Sequence, residues 1–135
     1  MDADDVSIPR MFDWRRPDNL GVKNGRLAPP RRTPNCVSSQ AEAADAEHYI
    51  APIRGTIAAA RAAVDSLPRP KVIRQDADYL YAEFRSKLLG YVDDVEFWFD
   101  GAQLQIRSAS RLGRRDFGVN RDRVEALRKI IEARR

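Results

Sequence analysis

From Asp94 to Ser108 the chain alternates apolar and polar residues on both sides of Asp100-Gly101. That period of two marks a pair of half-buried strands joined by a tight type I′ turn. With those two residues in the turn, Phe99 faces Ala102, Phe97 faces Leu104, Val95 faces Ile106, and Asp94 lies opposite Arg107 on the other side. The same alternation runs through Tyr79–Ser86, where Leu80, Ala82 and Phe84 interleave with Tyr81, Glu83 and Arg85. Strands are therefore predicted at Val72–Gln75 (the weakest run), Tyr79–Ser86, Val92–Phe99 and Gln103–Ser110, and their short connections favour an antiparallel meander. Helical spacing flanks them. Thr56 is an N-cap candidate for a helix to Leu67, with Ile57, Ala60, Val64 and Leu67 on one face and Pro68 and Pro70 ending it. Asn120 is the predicted cap of a last helix, in which Val124, Leu127 and Ile131 share a face. The order predicts an α+β two-layer sandwich: an antiparallel four-stranded sheet packed on an N-terminal and a C-terminal helix. Leu80, Phe84, Val95, Phe97, Phe99, Leu104 and Ile106 would face those helices.

Residues 1–34 break every periodicity. Pro9, Pro17, Pro29, Pro30 and Pro34, with Gly21 and Gly25, predict an irregular Pro/Arg-rich arm ahead of a single domain over residues 35–135. Phe12, Trp14 and Leu20 are its apolar anchors. They either tie the arm back onto its own domain or insert into a protein partner.

The 135 residues suffice for an ordinary core without metal or disulfide staples. Cys36 is the single cysteine, the N-terminus is acidic, and no run reaches the length of a membrane span. The expectation is a chain without signal peptide or membrane insertion, in the cytoplasm or another soluble reducing compartment. The formal charge of +4 is uneven: residues 111–135 carry nine Arg/Lys against four Asp/Glu. A basic end raises the question of nucleic acid, but Arg121, Glu125, Arg128 and Glu132 alternate in sign along one helical stripe, as a solvated face does. With no aromatic platform beside the charge, no nucleic-acid partner is expected.

Several short strings carry a family likeness in their joint order and spacing: Asn35-Cys36-Val37-Ser38-Ser39, His48-Tyr49-Ile50-Ala51-Pro52, Ala82-Glu83-Phe84-Arg85-Ser86, Asp93-Asp94-Val95-Glu96-Phe97, Arg107-Ser108-Ala109-Ser110-Arg111 and Gly118-Val119-Asn120-Arg121. From about residue 35 to 135 the chain resembles the group called domain of unknown function 1499. The resemblance implies a small α+β domain with no established activity, cofactor or catalytic residues. Many members carry an N-terminal hydrophobic segment, where this chain has an acidic start and a polar arm.

Three constellations could carry chemistry. Glu83, Arg85, Asp94, Glu96 and Arg107 project from one side of the predicted sheet, beside Tyr81 and Trp98. Left open to water they are a solubilising ladder. Covered, they become either a static ion-pair network or a set of carboxyls with divergent pKa values, as acid–base work needs. Cys36 is a candidate reactive thiol, with His48 as the only possible histidine base; the competing reading is a buried structural side chain. Arg111 to Arg121 holds two glycines, four arginines and a helix start, a conceivable anion site. Its spacing matches neither the Walker loop nor the dinucleotide fingerprint, and the favoured reading is that Arg111 and Asp116 staple the loop to the charged face instead. One histidine and one cysteine supply no zinc shell, and no cofactor is implied. The leading expectation is a non-catalytic binding or accessory domain docking onto a larger assembly through its arm. The alternative is a small-ligand binder or enzyme using Glu83, Arg85, Asp94, Glu96 and Arg107 with Arg111, Asp116, Asn120 and Arg121. A Cys36-dependent enzyme comes third.

Overall fold

A computed structural model of the chain describes residues 15–30, 35–68, 70–85, 91–111 and 118–134. Within them the order is β1 (Cys36–Ser38), α1 (Ile57–Asp65), β2 (Pro70–Gln75), β3 (Tyr79–Arg85), β4 (Val92–Phe99), β5 (Leu104–Ser110) and α2 (Val119–Ala133). The fold is α+β with an antiparallel sheet, but the sheet has five strands rather than four, in the order β1-β5-β4-β3-β2. The added strand β1 is three residues long, too short to show a period, and it forms by pairing with the free edge of β5.

The β4–β5 hairpin corrects the expected register. Phe99 pairs with Leu104, Phe97 with Ile106 and Val95 with Ser108, so Glu96, not Asp94, stands opposite Arg107. The cause lies in the Asp100 side chain. One carboxylate oxygen accepts the N–H groups of Ala102 and Gln103, both at 2.9 Å, while the Asp100 N–H donates to the Gln103 carbonyl at 3.1 Å. These bonds stabilise a four-residue loop, Asp100 to Gln103, with Gly101 at φ 102°, in place of the two-residue turn. The register therefore moves by two. A slip of one would turn every side chain over, whereas a slip of two leaves each on its expected face.

Both helices share one core with the sheet. Ile57, Ala60 and Val64 of α1 and Val124, Leu127 and Ile131 of α2 pack with Leu80, Ala82, Phe84, Val95, Phe97, Leu104 and Ile106. Each large apolar side chain in that layer contributes about 1.5–3 kcal/mol on leaving water. The Thr56 hydroxyl accepts the Ala59 N–H at 3.1 Å and starts α1, as its sequence predicts. Helix α2 starts differently. Gly118, at φ 80°, occupies the cap position, and Asn120 lies one residue inside the helix, fully buried. The alternating stripe on α2 is also not merely solvated: Arg128 donates to the carbonyls of Pro52 (2.6 Å) and Ala51 (2.7 Å), and Glu132 accepts the Arg54 N–H at 3.1 Å. It clamps the connection ahead of α1.

The other side of the sheet is covered too. Residues 15–30 run across it as a strap. Lys23 and Arg26 exchange backbone hydrogen bonds of 2.8 and 3.1 Å around Asn24 and Gly25, whose φ angles of 55° and 71° are those of a type I′ turn. Leu27 packs with Tyr79 and Tyr81, and Leu20, Val22, Ile73 and Trp98 border them. Ile73 sits at the register shift between Val72 and Arg74 in edge strand β2, and it joins this second cluster instead of the main core.

Candidate functional site

Strand parity puts Tyr79, Tyr81 and Glu83 of β3, Asp94, Glu96 and Trp98 of β4, and Gln105 and Arg107 of β5 on the strap side. The cover desolvates them: Glu83, Asp94, Glu96 and Arg107 are all buried. Buried charges persist only when paired, and here they are paired in two groups.

In the first group, Arg111 reaches back from just beyond β5. Its Nε donates to Asp94 Oδ2 at 2.9 Å, and its Nη2 to Asp94 Oδ1 at 2.9 Å and Glu83 Oε2 at 2.6 Å. From the strap, Arg16 Nε donates to the same Glu83 oxygen at 2.8 Å. The Tyr81 hydroxyl donates to Asp94 Oδ1 at 2.5 Å and lies 3.1 Å from Glu83 Oε2. Burial alone would raise the Glu83 carboxyl, but the hydrogen bonds from Arg16 and Arg111 outweigh it and hold Glu83 below the ordinary carboxylate range. Burial, then the hydrogen bond to Asp94, pushes the Tyr81 phenol up.

The second group is centred on Glu96 and Arg107. Glu96 Oε2 accepts the Gly21 N–H of the strap at 2.6 Å and the Tyr79 hydroxyl at 2.5 Å. Arg107 Nη2 donates to the Pro29 carbonyl, also of the strap, at 3.4 Å. The closest ion-pair approach is 4.0 Å, from Arg107 Nη1 to Glu96 Oε1, beyond direct hydrogen-bond reach. Among the described residues neither Glu96 Oε1 nor Arg107 Nε has a hydrogen-bond partner, although the side chains are 0% and 2% exposed. Burial raises the Glu96 carboxyl above its ordinary range, against the lowering pull of Tyr79, Gly21 and Arg107. Two carboxyls on neighbouring strands are thus shifted in opposite directions.

The remaining sequence candidates separate from this face. Arg85 is exposed at the end of β3. Asn120 lies on the helix side, where Ser108 Oγ donates to its Oδ1 at 2.5 Å and its Nδ2 donates to Ser110 Oγ at 2.8 Å and the Asn35 carbonyl at 3.0 Å. Arg121 reaches the carbonyls of Ala46 and Glu47 at 3.2 and 3.4 Å. Asn120 and Arg121 therefore do not extend the charged face, and Asp116, like Phe12 and Trp14, lies outside the described residues. Cys36 is fully buried in β1. His48 is held by Asp45, with Nδ1 to Oδ2 at 2.8 Å. Sequence reasoning missed Arg16, Gly21 and Pro29, which act through an irregular segment with no period to betray them. It also missed Tyr79, whose parity with Tyr81 would have placed it.

Residues 26–131 match the family described as Protein of unknown function (DUF1499). The chain belongs to that family. The DUF1499 match takes in all five described strands, α1, α2 as far as Ile131 and the strap from Arg26 onward, while Arg16 and Gly21 precede it. No curated protein and no solved structure matches the chain. Among the described residues no helix is long and apolar enough to cross a membrane, and no group of three His, Cys, Asp or Glu is placed to hold a metal ion.

Proposed function

We propose that this DUF1499 domain is a non-catalytic binding domain that takes up a small polar molecule at its ionic sheet face, beside Glu96 and Arg107, when the strap lifts. The observation that carries the reading is the pair of unpartnered atoms, Glu96 Oε1 and Arg107 Nε, in a site where the neighbouring charges are closely matched. A buried donor or acceptor without a partner costs about 1–3 kcal/mol, so lifting the strap would let a small polar molecule satisfy both atoms. Catalysis is less well supported. Acid–base work needs a carboxylate free to face a substrate, yet both Asp94 oxygens and Glu83 Oε2 are engaged by arginine and tyrosine. Docking through the arm is also less well supported, because residues 15–30 are committed to the chain's own sheet.

Thermal unfolding of the full chain with acetamide, acetate, methylammonium or glycerol tests the reading. The comparison is the double variant Glu96→Gln/Arg107→Met, which keeps an acceptor for Gly21 and Tyr79 and leaves no lone charge. At a tenfold excess over its dissociation constant, a ligand stabilises by about 1.4 kcal/mol, or about 4 °C for a domain of this size. At least one probe should produce such a shift in the native chain and not in the variant. Identical responses from the two proteins to all four probes would end the proposal.

A further inference from the structure

We infer that the strap is a cover that opens as one unit while the sheet and both helices stay folded, latched at Gln40 and at the Glu96–Arg107 pair. The binding reading above depends on this motion, whereas the motion depends on no ligand. The body holds together without the strap. Among the described residues, the main core between sheet and helices contains no strap side chain, and Leu20, Val22 and Leu27 lie in the separate cluster with Tyr79 and Tyr81. Arg111 keeps its bonds to Asp94 and Glu83 when Arg16 departs, so the first ionic group stays closed. Asn35 marks the boundary of the body. Its carbonyl accepts from the Ser110 N–H and from Asn120 Nδ2, both at 3.0 Å, which fixes the chain there.

The strap is not held as a strand is. Among the described residues, the backbone of residues 16–30 shares no backbone-to-backbone hydrogen bond with the sheet; the Lys23–Arg26 pair closes the strap's own turn. Every polar link to the body uses a side chain on at least one side. Gln40 Oε1 accepts the Leu27 N–H at 2.7 Å, and the Gln40 carbonyl accepts from Arg26 Nη2 at 2.7 Å. Arg16, on Glu83, is 48% exposed and exchanges that bond for water at little cost. At the other latch, closure itself is costly. Glu96 and Arg107 lose their water, approach no closer than 4.0 Å, and leave Glu96 Oε1 and Arg107 Nε shut off from solvent without partners. Opening hydrates both side chains at once, which offsets the bonds to Gly21 and Pro29 that break. A segment held by few buried apolar contacts and by partly hydrated hydrogen bonds opens ahead of global unfolding.

Native-state hydrogen exchange of the full chain, with urea kept below the unfolding transition, tests this. The Gly21 and Leu27 N–H groups report on the strap. Those of Leu104 and Ile106, bonded to the Ile53 carbonyl and to Ser39 Oγ, report on the body. The two strap amides should share one protection factor, at least about tenfold below that of the body amides and with a weaker urea dependence. Gln40→Ala should then lower the protection of Gly21 as well as Leu27, by at least about threefold, with little change at Leu104 and Ile106. Gly21 bonds to Glu96 at the far latch, so only a concerted opening carries the loss to it. If strap and body amides exchange with the same protection and the same urea dependence, the strap opens only as the whole chain unfolds, and the inference is overturned. A loss confined to Leu27 overturns it as well, since the strap then frays piecemeal. No ligand enters the measurement, so a flat response to the thermal-shift probes bears on the binding reading alone.

Discussion

Glu96 and Arg107 are directly paired across β4 and β5, yet 4.0 Å separates Arg107 Nη1 from Glu96 Oε1. Arg111, which belongs to no strand, comes closer to its carboxylates, at 2.6 Å from Glu83 and 2.9 Å from Asp94. Cross-strand pairing places Cβ atoms near one another, but it does not decide where the ends of long side chains settle. Here the strap draws the ends apart. Gly21 holds one Glu96 oxygen and Pro29 takes one Arg107 nitrogen.

The two arginines on Glu83 should differ sharply in value. The Arg111 side chain is 5% exposed and that of Arg16 is 48% exposed. Arg111→Met leaves Asp94 buried without its guanidinium and Glu83 with the half-exposed Arg16 alone, and urea unfolding should register a loss of about 3–5 kcal/mol. Arg16→Met removes a partly hydrated partner and should cost about 1 kcal/mol or less. Equal losses would mean that Arg111 is not the keystone of the group.

Opposite carboxyl shifts give opposite pH signatures. Glu83 titrates lower in the folded chain than in the unfolded one, held there by Arg16 and Arg111 against burial. Its contribution is complete above the unfolded value of about 4.3 and is lost as pH falls through the depressed folded value. Glu96 is raised, chiefly by burial. Its contribution is present below about 4.3 and is lost as pH rises through the raised folded value. Relative to the native chain, Glu96→Gln should therefore gain stability as pH rises from about 4 through the raised Glu96 value, while Glu83→Gln should lose stability on leaving the acid range. Urea midpoints measured across pH give both slopes, and slopes of the same sign for the two variants would contradict the assignment.

Gly55 leaves no room for a side chain. A Cβ there would overlap Ile131 Cγ2, which belongs to the core face of α2. Gly55→Ala should destabilise by about 1–3 kcal/mol through overpacking. In an Ile131→Ala background the offending methyl is gone, so the added cost of Gly55→Ala should shrink markedly. Additive losses in the double variant would show that the contact is relieved elsewhere.

Asn120 separates two structural roles. At an N-cap, Asn and Asp are nearly equivalent, so Asn120→Asp would be close to neutral. Inside α2 the substitution removes the Nδ2 donor to Ser110 and Asn35 and places a carboxylate in a fully buried position. Calorimetry should show a loss of about 2 kcal/mol or more at neutral pH, shrinking as the new carboxyl is protonated.

The helix-facing half of the fold was legible because periodicity reports which side chains leave water. Leu80, Phe97, Leu104 and Ile106 all lie where their alternation puts them. The exact pairing was not legible, since Asp100 engages its own loop through a side chain that no hydrophobic pattern reveals. Asn24-Gly25 shows the converse. It makes the two-residue turn expected of Asp100-Gly101, but within a Pro-rich stretch whose flanks do not alternate. For the site, parity placed Glu83, Asp94, Glu96 and Arg107 together. The division into a closed group and a gapped pair depends on Gly21 and Pro29, whose backbone atoms carry no side-chain signature.

The strap gives the sheet a second sheltered side, and this bears on how the chain behaves when shortened. Without residues 15–30, Tyr79, Tyr81, Ile73 and Trp98 would form a contiguous apolar floor open to solvent, and Glu96 would lose its backbone donor. Such a floor invites self-association. A truncated chain should be judged first by its particle size in solution, because sticking to copies of itself would imitate partner binding.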